Sequence, residues 1–442
     1  MTFSITDSNQ YRIDEIVLVT KAGKIDISSI FTELNIFDSL LMPVMSGNIL
    51  ITDAVNLSNY LLFDGSEVLL ISIKKDKMSD IASFKKAFRV YKQTGRTNVT
   101  PGTVKYLLHF VSDELFYSDQ QRINQSYEAT YSDVATSICL NYLKIPNNNL
   151  RIENSFGIRK IIIPNLRPLE AIQWCAKRAV DSLGSPNFLF FQNNDEYNFV
   201  TLSTLLTQPA ISAIQHQIKN IEITNAIQKM DGARHLEVLT LNDIIDKTRS
   251  GVNAGKFIGF DPITRTIHEE NFSYGSHFGY MNHGNKTPNF TLIENRDGVK
   301  NFDTYDSRKV LSIFGQKRQL SEYIKKNDPT SISKVENTER WFFQRKAIIK
   351  NLMAKRLKIV MPGNFNLSSG FNVDVVPPPN FNNSTDSSID GKYIIIASRQ
   401  IIGFEKHETV IEVASSSSTL DFIPKSTQEQ KEAILDYKHV YL

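Results

Sequence analysis

The segment Met361-Pro362-Gly363-Asn364-Phe365-Asn366-Leu367-Ser368-Ser369-Gly370-Phe371-Asn372-Val373 constrains this chain more than any other stretch. Asn364 to Leu367 reads as a short extended piece. Ser368-Ser369-Gly370 reads as a tight turn, with Gly370 able to take a positive φ. Phe371, Val373 and Val375 then alternate with Asn372, Asp374 and Val376, the pattern of a half-buried strand. Asn364 and Asn366 are expected to bond to backbone at the turn. Gly363, Asn364, Phe365, Asn366 and Gly370 thus form a structural turn motif, not a ligand loop.

The surrounding chain is largely β. Ile16–Thr20, Gly47–Thr52, Val68–Ile73, Phe88–Tyr91 and Tyr106–Val111 are β-rich runs separated by turn formers. A short helix is expected at Ala54–Leu62, with Asp53 as its N-cap. From residue 125 the period changes. Thr130-Tyr131-Ser132-Asp133 is a capping pattern, and Val134, Ile138, Cys139 and Tyr142 share a helix face. A second helix starts at Pro168, with a stripe from Leu169 through Ile172, Ala176 and Ala179 to Leu183. Phe188–Phe191 and Tyr197–Val200 read as a hairpin around Asn193-Asn194-Asp195. Strand character returns at Ile221–Ile223 and Leu236–Leu239. It returns again over 359–376 and in two strands, Lys392–Gln400 and Glu405–Val413, joined near Gly403. Residues 243–335 are polar and weakly periodic, as an insertion would be. Ser415–Ser418 reads as a linker.

With 442 residues, 41% hydrophobic and 22% charged, the chain can bury a sizeable core over about two to four domains. Its 50 basic and 47 acidic residues leave a net charge of +3, which argues against a nucleic-acid-coating protein. Cys139 and Cys175 fall on apolar helix faces and read as buried thiols. Residues 1–10 lack a basic start and an apolar core, so synthesis and folding in a cytoplasm are expected. No apolar run reaches the roughly 20 residues of a spanning helix, so no direct membrane insertion is expected.

Residues 337–358 read as one helix mixing aromatic and basic residues. Trp341, Ile348 and Leu352 form a stripe, flanked by Phe342, Ile349 and Met353, and Arg345 and Arg356 project onto that face. One reading is a core helix whose basic residues reach solvent. A second makes Trp341, Phe342, Arg345 and Arg356 candidate subunit-interface residues, with the arginines meeting a neighbour's carboxylates. Nucleic-acid binding ranks third, given the balanced charge. Other chemistry is weaker. His268, Glu269, Glu270, His277 and His283 match no metal-ligand spacing and read as a solvated loop. Nothing fixes the separation of Asp246, Asp303 and Asp306 as acid and base. No P-loop, dinucleotide fingerprint or nucleophile elbow is present. Catalytic residues, cofactors and metals are therefore all expected to be none.

The helix followed by G-N-F-N-L-x-x-G-x-x-hydrophobic resembles the second tube domain of the baseplate central hub proteins of contractile-tailed, T-even-like bacteriophages. Phe37-Asp38-Ser39-Leu40 leading into Gly47-Asn48-Ile49-Leu50-Ile51-Thr52-Asp53 is similar to their first tube domain. Asp64-Gly65-Ser66-Glu67 and Tyr106–Glu114 fit its later strands. Arg167-Pro168-Leu169-Glu170-Ala171-Ile172 with the aromatic strand Phe188–Phe191 is similar to their α/β module. The likeness runs discontinuously over 10–240 and 337–414.

The resemblance implies a mainly β protein with α+β parts: two tube-type β-barrel domains flanking a small α/β module, with an inserted subdomain. The divisions are 1–115 for the first tube domain, 116–212 for the module, and 213–242 plus 337–415 for the second tube domain. Residues 243–336 form the insertion and 416–442 a C-terminal tail. It implies a structural hub, not an enzyme: a homotrimer whose pseudo-hexameric ring adapts a sixfold tail tube to a threefold spike. Its partners would be the tail-tube ring, the central spike and baseplate wedge proteins, in a virion tail assembled in host cytoplasm. DNA would pass through the lumen during genome ejection without sequence recognition. The alternatives are a type VI secretion-like spike hub, which would continue into a β-helical needle, and a cell-wall polysaccharide hydrolase.

Overall fold

The computed structural model describes residues 11–21, 23–55, 57, 64–74, 83–182, 184–216, 232–241, 243–261, 265–274, 285, 287–288, 306–313, 332–333, 340–377, 388–404 and 406–418. The protein is mainly β, with large sheets and short helices. The first region contributes β1 (Arg12–Thr20), β2 (Gly23–Asp26), β3 (Phe31–Ser39), β4 (Ser46–Asp53), β5 (Val68–Lys74), β6 (Phe84–Thr100) and β7 (Thr103–Val111). Burial alternates residue by residue along β4 and β7, as a pleated strand with one face on a core requires. Ile16, Leu34, Ile49, Ile71, Phe88 and Tyr106 meet in one core. The helix expected at Ala54–Leu62 lies almost wholly outside the described residues.

The middle region carries β8 (Ser126–Ala129), β9 (Leu150–Ile152), β10 (Ile158–Ile162), β11 (Phe188–Gln192) and β12 (Tyr197–Thr201). The helices Tyr131–Asn141 and Pro168–Arg178 pack into the same core as Phe188 and Phe199. The first helix start follows the expected capping, and the second starts at the expected Pro168 with a cap of its own. Thr130 Oγ1 accepts the Asp133 N–H at 3.1 Å, and the Glu170 carboxylate accepts the Arg167 N–H at 3.1 Å. The second helix ends at Arg178, short of the expected Leu183, which is outside the described residues.

Then come β13 (Ala210–His216), β14 (Gly232–Ala233) and β15 (His235–Thr240). The strand expected at Ile221–Ile223 is outside the described residues. The inserted region is more regular than its composition suggests. It holds β16 (Ala254–Asp261), β17 (Thr266–Ser273), β18 (Thr287–Pro288), β19 (Lys309–Ile313) and β20 (Ile332–Ser333), with β17, β16 and β19 forming one sheet. Phe257 and Phe272 of that sheet pack on Phe343 and Ala347. The chain closes with β21 (Lys355–Pro362), β22 (Asn372–Val376), β23 (Gly391–Gly403), β24 (His407–Ser415) and β25 (Ser417–Ser418). Ser417 and Ser418 pair with Pro288 and Thr287, so the expected serine linker is tied down by β18.

The helix expected over 337–358 is shorter. A π turn over Arg340–Gln344 leads into an α-helix at Arg345–Leu352, and β21 starts at Lys355. Leu357, Ile359 and Met361 alternate into a core, so the period has already changed to two.

Among the described residues, fourteen strands from both β regions join in one sheet. The join is made by β23, which changes partner along its length. Residues Gly391–Ile394 pair with β22, and Ala397–Gly403 pair antiparallel with β3. The two regions also repeat a pattern. The order β3-β4-β7-β6-β5 matches β15-β21-β24-β23-β22, with every neighbour antiparallel in both. The register slips between Val90 and Lys92 where β6 meets β7, and between Ile395 and Ala397 where β23 meets β24. The flanks differ: β1 runs antiparallel to β5, whereas β13 runs parallel to β22. The residue after β14, Arg234, donates its N–H to Val360 of β21 at 2.8 Å, so Gly232–Thr240 touches β21 at one end of the second set and, through β14, the flanking strand β13 beside the other.

Candidate functional site

The most densely bonded junction lies where the two β regions and the middle region meet, and the turn motif is its centre. Asn364 Oδ1 accepts the Asn366 N–H at 3.0 Å, the Asx turn that Asn favours. The Asn364 N–H donates to Thr409 Oγ1 at 2.8 Å, and Gln400 Nε2 donates to the Asn364 carbonyl at 3.1 Å. Gly363 lies flat on the buried His407 ring: a Cβ there would come within 2.0 Å of it. Gly370 has φ of +90°, and a Cβ there would come within 2.7 Å of the Phe191 ring. Both glycines are therefore required, one by close approach and one by approach and conformation together.

Phe365 crosses the junction. Its ring is buried in the first region's core, 5.3 Å from Phe84 and 4.6 Å from His407 between centroids. Ile402 of β23 enters the same core. Beside Phe365 sits Asp38, at the end of β3 and fully buried among apolar strands. The Ser368 hydroxyl donates to its carboxylate. The N–H groups of Ser369 and Ser398 donate to Asp38 Oδ1 at 3.3 and 3.1 Å. Burial pushes the Asp38 carboxyl up to about 6, against the pull of these donors. Donors from the turn motif and from β23 thus converge on one carboxylate of the first region.

The middle region completes the junction through its hairpin tip. Asn194 Nδ2 donates to the Phe365 carbonyl at 2.6 Å, and the Asn194 N–H donates to Ser368 Oγ at 3.1 Å. Gln192 Oε1 accepts the Met45 N–H at 2.7 Å and the Ser112 hydroxyl at 2.6 Å. Lys86 Nζ donates to the Asn193 carbonyl at 2.8 Å, and burial lowers its ammonium to about 8. Sequence reasoning placed the Asn364 turn and the positive φ of Gly370. It missed Asp38, Asn194 and Gln192 as the motif's partners; the Asp-Ser-Leu at the end of a strand was the one available signal.

The expected interface residues are dispersed. Arg345, expected to meet a neighbour's carboxylates, instead donates through Nη1 to its own chain's carbonyls: Ala176 and Pro186 at 3.2 Å and Phe188 at 2.6 Å. Burial lowers its guanidinium to about 10. Arg356, expected on the helix, is on β21 and donates to Glu412 at 3.1 Å and Thr240 at 3.3 Å. Phe342 packs edge to face on Phe343, 5.3 Å between centroids. The Trp341 side chain lies outside the described residues.

Two of the other candidates are engaged in ion pairs. Glu269 pairs with Lys256 at 2.6 Å, and the Asp246 carboxylate pairs with Lys350. His277, His283 and Asp303 lie outside the described residues. Among the described residues no group of three or more His, Cys, Asp or Glu could hold a metal ion. Burial pushes the thiols of Cys139 and Cys175 up to about 12, far from nucleophilic.

No protein-family model matches the chain, and no curated protein matches it. Solved structures do. A tail protein from Neisseria meningitidis MC58 superposes with a TM-score of 0.51 at 12% identity, covering 94% of this chain and 99% of its own. The 43 kDa tail protein of prophage MuSo2 from Shewanella oneidensis gives a TM-score of 0.49 at 10% identity, over 91% and 98%. An Escherichia coli component of the type VI secretion system gives 0.41 at 8% identity, over 94% and 79%. The chain shares the fold of the Neisseria meningitidis tail protein.

Proposed function

We propose that the protein is a structural hub of a contractile phage tail, a homotrimer whose ring adapts a sixfold tube to a threefold spike. One observation carries the reading: a five-strand unit occurs twice in the chain, in the same order and with a register slip at the same place. Two similar units per chain give six per trimer, which is what a three-to-six adapter needs. The tail-protein fold supports the same reading. In this reading the two units are the tube-type barrels, residues 116–212 are the module between them, and 243–336 are an insertion into the second. The Asp38 junction is structural: it sets the angle between the two units so that the ring closes. The tube ring, spike and wedge proteins are the partners, and the assembled protein resides in the virion tail after assembly in host cytoplasm. It turns over no polysaccharide.

The test is the mass of the purified chain by light scattering, alone and mixed with candidate tube and spike proteins, alongside an assay on cell-wall polysaccharide. A trimer that gains mass with a tube or spike protein, without turnover, is expected. A monomer in every mixture, or turnover that survives rigorous purification, contradicts the proposal.

A further inference from the structure

We infer that the peptide group joining Asn193 to Asn194 is a proton-linked lock between the middle region and both β regions. Lys86 of β6 holds it at one end and Asp38 of β3 at the other. The lock is a property of the single chain and does not depend on the ring reading above.

The hairpin between β11 and β12 presents this peptide. Asn193 Oδ1 accepts the N–H groups of Asp195 and Glu196 at 3.0 and 2.9 Å, which fixes the turn. The Asn193 carbonyl accepts Lys86 Nζ at 2.8 Å. The Asn194 N–H donates to Ser368 Oγ at 3.1 Å, and the Ser368 hydroxyl donates in turn to Asp38 Oδ2. In a trans peptide the C=O and N–H point opposite ways. Its oxygen, the negative end of the dipole, thus meets the cation, and its N–H, the positive end, is aimed along the path to the anion. An ammonium and a buried carboxylate are joined through three hydrogen bonds and one peptide plane.

Lys86 is faced by Asp38, by Asp195 of the hairpin and by Glu114 of the helix Glu114–Asp119. Glu114 lies beside Tyr197 and Asp113, and Asp113 pairs with Arg89. The bonds to Asp38 come from neutral groups of Ser368, Ser369 and Ser398. Next along β23, Arg399 turns to Asn35 and Glu33 on the other face of the sheet. His407 of β24 bonds through Nε2 to Gln400.

Burial opposes charge at both ends. It raises the Asp38 carboxyl to about 6 and lowers the Lys86 ammonium to about 8, although the surrounding carboxylates pull Lys86 the other way. Opening the hairpin tip to water returns the two groups to their ordinary values, 3.8 and 10.5. The closed state therefore binds the Asp38 proton more tightly than the open state, and the Lys86 proton more loosely. Both charges are present between about pH 6 and 8, where the lock is weakest. It tightens as pH falls through about 6 and Asp38 takes up a proton, and as pH rises above about 8 and Lys86 releases one. The protonated carboxyl keeps the relay: Oδ2–H can donate to Ser368 Oγ, whose second lone pair still accepts from Asn194, and Oδ1 keeps its two N–H donors. Burial raises Glu114 as well, which adds to the acid arm.

The test is hydrogen exchange by mass spectrometry on the full chain at pH 5, 7 and 9, read as protection corrected for intrinsic exchange. Segments spanning Asn194 and Ser369 report the lock, and β16, outside the joint, is the reference. Relative to β16, protection at the joint should rise about tenfold from pH 7 to pH 5 and about tenfold from pH 7 to pH 9. Asp38→Asn should lose most of the acid rise and keep the alkaline one, and Lys86→Met should do the reverse. Rises that survive both substitutions, or joint protection that follows β16 at every pH, overturn the lock. Should a variant fail to fold, the wild-type profile decides: a minimum near pH 7 supports the lock, and a flat profile overturns it.

Discussion

The Ser368 hydroxyl donates to the Asp38 carboxylate across 330 positions of sequence, joining the turn motif of the second β region to the end of β3 in the first. The carboxylate also holds the N–H groups of Ser369 and Ser398, so the turn motif and β23 both depend on one side chain. Asp38→Ala would leave two buried amides without an acceptor. It should lower unfolding stability by about 3 kcal/mol in denaturant titration, since each orphaned donor costs about 1–3 kcal/mol. Asp38→Asn retains an acceptor and should cost less than half as much.

The same carboxylate makes stability depend on pH. Its folded value is raised from 3.8 to about 6, so the folded state holds the proton more tightly than the unfolded chain. The contribution is fully present below about pH 4 and is lost as pH rises through about 6. Between pH 7 and pH 5 the wild type should gain about 1 kcal/mol from this group, and Asp38→Asn should lack that gain. Denaturation midpoints of both proteins at the two pH values measure it; equal gains in both would refute the assignment.

Glycine substitutions separate close approach from backbone conformation. Gly102 has φ of +86° with open space around a Cβ, so Gly102→Ala should cost about 1 kcal/mol from conformation alone. Gly370→Ala adds a clash with Phe191, and Gly363→Ala pushes directly into the His407 ring. Each should cost about 2–3 kcal/mol. Thermal melts showing all three alike would mean that the motif is not packed as described.

Arg345 gives a prediction opposite in kind to the one its helix suggests. Its three acceptors are Ala176, in the last turn of a helix, Pro186, and Phe188 at the start of β11. Arg345→Met should destabilise the monomer by about 2–3 kcal/mol, because buried carbonyls lose a charged donor. Light-scattering mass and chemical denaturation on the same sample distinguish the cases. Lost association with unchanged monomer stability would restore the interface role.

Local features were legible in the sequence and non-local ones were not. The Asn364 turn, the positive φ of Gly370 and the Thr130 cap each involve residues a few positions apart, so residue type signals them directly. Asp38 and Ser368 carry no mark of each other. Phe365 reads as part of its own strand until its ring is seen in the other region's core. The helix is shorter than its sequence suggests because Lys355-Arg356-Leu357-Lys358 suits a helix by propensity yet lies on β21. Pairing with β15 and β24 overrides that preference. The internal repeat was invisible as residues because what recurs is strand order and a register slip.

End-on electron micrographs of the purified assembly test the central claim most directly. The account predicts a closed ring with true threefold symmetry, in which six similar β units alternate around the lumen. A ring with only three units, a twofold particle or an unclosed chain of subunits would contradict it.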